Sequence, residues 1–121
     1  MTLYLVKFSY SADSWARMLA NPEDRREALA PLFEAAGGKL HGLWYAFGDA
    51  DGYVLAEMPD AGTAAATLAR VVATGAGSVS TTVLVTVEEV VEALQRGIGA
   101  GYRPDGRSAD ELTVGEAPGA R

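Results

Sequence analysis

The groups in this chain with chemistry to offer are one histidine, a lysine and a few carboxylates set among apolar strands. His41 is the only histidine in 121 residues. Its ring titrates near neutrality, so it suits general-base work. Strand alternation places it on the same side as Leu43, Tyr45 and Phe47. Glu57 follows Tyr53 and Leu55 along another apolar strand, an unusual place for a carboxylate. There it either reaches solvent or lines an enclosed chamber. Lys7 lies on the first strand, expected beside that of Glu57. A Lys7–Glu57 pair would be a cross-strand salt bridge, or the polar centre of a pocket. Asp49 and Asp51 flank a hairpin tip, where aspartate suits the turn backbone. The functional reading makes them a base or a cation holder at the mouth of a barrel.

Together these residues would support proton transfer on an apolar, carbonyl-bearing substrate. His41 or Glu57 would be the base, and Tyr45 or Lys7 would orient the oxygen. Tyr53, Trp44, Asp51 and Arg103 are candidate ligand contacts. Arg103 could clamp a carboxylate, or dock the tail onto a neighbouring subunit. A metal site is not expected, because there is no second histidine and no cysteine. No cofactor is implied either. The chain has no P-loop, no GxGxxG and no GxSxG. The glycine-rich run at Gly97–Gly101 follows a helix, where a dinucleotide loop would open one.

The composition narrows the partners. A net charge of −6, with no cluster of Lys and Arg, argues against nucleic acid. No run of about 18 apolar residues is present, so no membrane span is expected. The start, MTLYLVKFSY, reads as a strand and not as a signal peptide. A cytoplasmic, cysteine-free protein is the expectation.

The elements that position these residues follow from periodicity. Leu3–Tyr10, Leu40–Phe47, Tyr53–Met58 and Val79–Val85 read as strands. A helical region carries Trp15, Met18 and Leu19. After an interruption at Asn21–Asp24, a second stripe runs through Leu29, Leu32, Phe33 and Ala36. Asn21 is expected to cap that second segment, with Pro22 at its first position. Asp60 caps a helix with Ala61, Ala65, Leu68 and Val72 on its buried face. Thr86 and Glu89 form a capping box for a last helix over 86–97. The predicted domain is 1–97, and 98–121 is a Gly/Pro-rich tail expected to be partly disordered.

The order βαββαβ with a trailing helix is the ferredoxin-like plan, an α+β fold with a four-stranded antiparallel sheet and helices on one face. The second strand reads as apolar on both sides, with Leu40, Trp44 and Ala46 on one and Leu43, Tyr45 and Phe47 on the other. An open sheet face of that kind calls for cover. A second copy packed sheet to sheet, a dimeric α+β barrel, would provide it.

Several short runs resemble the GYD domain family. They are Tyr4-Leu5-Val6 and Ser9-Tyr10, Arg25-Arg26-Glu27-Ala28, Gly37-Gly38-Lys39-Leu40, and Tyr45-Ala46-Phe47-Gly48 with Asp51. Pro59-Asp60, Thr81-Thr82, Leu84-Val85-Thr86-Val87-Glu88-Glu89 and Gly101-Tyr102-Arg103-Pro104 continue the likeness. The family's Tyr-Asp pair stands here as Ala50-Asp51, with Tyr53 nearby. The resemblance implies the ferredoxin-like fold and an oligomer, and no reaction.

Three functions are carried from this reading. The first is a homo-oligomeric protein that binds an apolar small molecule and could be a cofactor-free enzyme. The second is a non-catalytic assembly module. The third is a metal- or signal-responsive trimer or hexamer using the hairpin aspartates Asp49 and Asp51. A void touching His41, Tyr45 or Glu57 would favour the first, and a solid interface the second.

Overall fold

In the computed structural model, residues 1–97 are described. The chain divides into two units, Met1–Val85 and Thr86–Arg121. The expected tail, with Tyr102 and Arg103, lies outside the described residues.

The first unit follows the expected order, with the helical region before the second strand split in two. It comprises β1 (Thr2–Tyr10), α1 (Ala12–Ala20), α2 (Arg26–Ala35), β2 (Lys39–Tyr45), β3 (Gly52–Met58), α3 (Ala61–Ala73) and β4 (Gly77–Leu84). Ser11 caps α1, its hydroxyl accepting from the Ser14 N–H. The interruption runs longer than Asn21 and Pro22 suggest. Helix α2 starts at Arg26, where the Asp24 carboxylate accepts from the Arg26 N–H at 3.0 Å. The N-cap position is Arg25, which makes no side-chain cap, so the cap expected of Asn21 does not form. Gly37 ends this stretch at φ +84°, a backbone that glycine adopts without a Cβ clash. Asp60 caps α3 as expected, accepting from the Thr63 N–H at 2.7 Å. In the second unit, α4 (Val87–Gln95) opens on the expected capping box of Thr86 and Glu89.

The sheet is antiparallel with strand order β2-β3-β1-β4. One face is the core. Tyr4, Val6 and Phe8 of β1 join Val54, Ala56 and Met58 of β3, packed with Phe33 and Ala64 from the helices. Directly opposed residues share a face. The other face therefore carries Leu3, Leu5 and Lys7 of β1 with Tyr53, Leu55 and Glu57 of β3. Trp44 of β2, opposite Tyr53, and Thr82 and Leu84 of β4 complete it.

Strand β2 departs from simple alternation. Leu40 pairs with Ala56, yet Gly42 pairs with Leu55, so His41 is an extra residue in a bulge. The bulge reverses the parity downstream. Leu40, Leu43 and Tyr45 share the core side, and Gly42 and Trp44 share the open side. The two-sided apolar strand is thereby resolved differently from the expected grouping. The Trp44 ring lies over Gly42, in space that any Cβ there would occupy.

Candidate functional site

The residues singled out in the sequence fall into two groups on opposite faces of the sheet. On the open face, His41 Nε2 lies 2.6 Å from Glu57 Oε1. Lys39 stands directly opposite Glu57 on the neighbouring strand. In the neutral histidine, Nε2–H donated to the carboxylate leaves Nδ1 as an acceptor. Each of the two side chains is about a third exposed. His41 therefore does not lie on the Leu43–Tyr45 side, because the bulge turns it to the open face.

The Lys7–Glu57 pair does not form. Lys7 stands opposite Tyr53, and its Nζ donates to Asp49 Oδ2 at 3.1 Å. That hydrogen bond and the lysine charge hold the Asp49 carboxyl below the usual carboxylate range. The same contacts raise Lys7 above the usual lysine range. Glu57 stands opposite Leu3, four residues along β1 from Lys7. Tyr53 and Trp44 face each other on the open side, and Trp44 is 54% exposed.

On the core face, Tyr45 joins Phe8, Tyr10, Trp15 and Phe47 in a cluster with ring centroids 5.1–6.3 Å apart. Asp51 holds this corner together. Its Oδ2 accepts from the Tyr10 N–H at 2.8 Å and from the Trp15 indole N–H at 2.9 Å. Its own N–H donates to the Phe8 carbonyl at 2.9 Å. Both acceptor contacts go to one oxygen, so Asp51 is an anchor between the hairpin, β1 and α1. Phe47 is 69% exposed and adopts φ +56°, an uncommon backbone for an aromatic residue.

Behind Phe8 and Tyr10 lies an apolar cavity of about 70 Å³ between the sheet and α2 and α3. Val6, Leu29, Phe33, Leu43, Leu68 and Val79 are among its walls. Its polar side chains are Tyr10 and Arg25, since the register turns Ser9 and Ser78 to the other sheet face. Tyr10, Arg25 and Ala76 also border a larger, polar space of about 400 Å³ against α1, with Ser14, Arg17, Asn21, Glu23 and Thr74. The Tyr10 and Tyr45 hydroxyls lie 3.5 Å apart. Burial holds the Tyr10 phenol protonated well above its usual range, and the Tyr45 contact adds to this. The Arg25 guanidinium is paired with the Glu23 carboxylate and lies near the Tyr10 hydroxyl.

Among the described residues, no cluster of three or more His, Asp or Glu side chains is arranged to hold a metal ion. No described helix is long and apolar enough to cross a membrane.

A family model described as the GYD domain matches residues 4–94. The chain belongs to the GYD domain family. Curated proteins and solved structures give no match to it. The GYD match spans both sheet faces, the Asp51 anchor and the cavity, from Tyr4 to Leu94. Within this GYD domain, Ala50 occupies the expected aromatic position and is buried. Tyr53 stands on the open face beside Trp44.

Sequence reasoning missed Tyr10, Glu23 and Arg25 as a group. Tyr10 and Arg25 both stand among the runs that carry the GYD likeness, which is the one signal that marked them. Their proximity depends on how residues 21–25 return toward β1, and no spacing rule encodes that path.

Proposed function

We propose that this GYD protein is a self-associating small-molecule-binding protein. Its ligand is an apolar, carbonyl-bearing compound held between the sheet and its helices. The cavity carries this reading: apolar walls with two polar side chains, Tyr10 and Arg25, where it meets the larger space are the usual make-up of a ligand site. One water needs about 10–15 Å³ of such space, so 70 Å³ takes roughly five water-sized probes. That is room for one ring or a short branched chain, with the polar head in the larger space beside it.

The order β2-β3-β1-β4 supports a ferredoxin-like fold. The open face supports self-association sheet to sheet, as in a dimeric α+β barrel. Leu3, Leu5, Leu55, Trp44 and Leu84 lie on it among the polar groups. Its partner is a second copy of the chain.

The reading stops at binding. His41 and Glu57 lie on the sheet face opposite the cavity, so they do not reach a molecule held there. Tyr45 is separated from them in the same way. A proton transfer at His41–Glu57 would need the open face enclosed by the second copy.

The test is thermal stabilisation by a panel of small apolar carbonyl compounds, applied to the native chain and to Val71→Phe. Val71 lines the cavity, and the larger ring fills it. A ligand that binds only the folded state raises the melting temperature with concentration. The native chain responds and Val71→Phe does not. Equal responses, or none, would overturn the assignment.

A further inference from the structure

We propose that the ligand of this cavity is a short apolar carboxylate, with its hydrocarbon part inside the chamber and its anionic head on Arg25 and the Tyr10 hydroxyl. The inference rests on the binding reading above and adds the charge and size class of the ligand. Arg25 is the one charged residue in the cavity wall among the described residues. Its side chain is about a third exposed, so a ligand reaching the chamber from the larger space can meet it. Glu23 engages only the Nη1 edge. A guanidinium has five N–H donors in a planar fork that matches a carboxylate, so much of the fork is left for a second partner.

The surroundings favour an anion. The polar space at the mouth holds two arginines, Arg17 and Arg25, against one acid, Glu23. Among the described residues Arg17 makes no ion pair. This local excess of positive charge sits in a chain of net charge −6. Arg25 also stands at the N-terminus of the ten-residue helix α2, where the helix dipole adds to the attraction. The Tyr10 hydroxyl, kept protonated by its burial, is a donor at the same spot. Glu23 is already a carboxylate bound at this guanidinium, so the structure displays the chemistry that a ligand would repeat.

The chamber limits the size. A branched chain of a few carbons fills it. A neutral alcohol of the same shape would gain the apolar contacts but not the charged ones.

Titration calorimetry with isovalerate and isoamyl alcohol tests this on the whole chain. Isovalerate binds the native protein, and Arg25→Gln weakens it by roughly tenfold or more, the worth of a hydrogen-bonded charge. Isoamyl alcohol binds more weakly than the acid and is unaffected by the substitution. Glu23→Gln frees the Nη1 edge and tightens isovalerate binding. This second variant keeps the test decisive if Arg25→Gln fails to fold. Equal binding of acid and alcohol, or weaker acid binding in Glu23→Gln, would overturn the carboxylate assignment and leave the cavity reading standing. Binding of neither compound to the native chain would overturn both.

Discussion

Replacing Asp51 should destabilise the fold in a graded way. One carboxylate oxygen accepts from the Tyr10 N–H at 2.8 Å and the Trp15 indole N–H at 2.9 Å. Hydrogen bonds to a charged acceptor are each worth about 1.5–3 kcal/mol. The corner is only partly buried, so water recovers part of the loss. Asp51→Ala is therefore expected to cost about 2–4 kcal/mol. Asp51→Asn keeps a carbonyl oxygen in the same place and loses only the charge, for about 1–2 kcal/mol. Urea unfolding reads both, as a drop in midpoint of about 1–3 M for the alanine variant at an unchanged slope. Trp15 fluorescence in a Trp44→Phe background reports the same corner directly. The reasoning fails if both variants stay within about 0.5 kcal/mol of the native chain, or if Asn costs more than Ala.

Three further outcomes follow from the geometry. A Cβ at Gly52 would lie 2.3 Å from the Trp44 carbonyl oxygen and 2.4 Å from the Phe8 ring, so Gly52→Ala should cost about 1–3 kcal/mol in denaturant unfolding. Trp44→Glu should hold the protein monomeric in sedimentation at a concentration where the native chain associates, and identical sedimentation would count against the open face as the contact. The Lys7–Asp49 pair sets a pH window. Asp49 is held low, so its contribution is full above the usual carboxylate range and lost as pH falls below it. Lys7 is raised, so its contribution is full below the usual lysine range and lost as pH rises through its folded value. The stability gap between the native chain and Lys7→Gln should therefore be flat near neutrality and narrow progressively as pH is lowered below the ordinary carboxylate value of 3.8. A gap that does not narrow on acidification would contradict the pairing.

Much of the scaffold was legible in the sequence because local rules acted alone. The strands are apolar and branched, and Asp60 and Thr86 stand where helix caps belong. Gly37 and Gly75 mark stops with positive φ. What escaped depended on register. The bulge at His41 is marked in the sequence only by Gly42 beside it, yet it decides which face every later side chain of β2 takes. Lys7 and Glu57 sit on neighbouring strands as expected, but four residues out of step, roughly 13 Å along the strand. Lys7 met Asp49 instead, and Glu57 met His41. The turn role expected of Asp51 gave no hint that its side chain would bind α1. The cavity mouth was least legible, since Tyr10 and Arg25 come from separate elements joined by the irregular stretch at residues 21–25.

A crystal of the native protein under xenon pressure probes the apolar chamber directly, since dry apolar cavities take up xenon. The proposed site predicts a xenon atom among Phe33, Leu68 and Val79, absent in Val71→Phe. A chamber closed by side chains, or filled with ordered water in place of xenon, would contradict it.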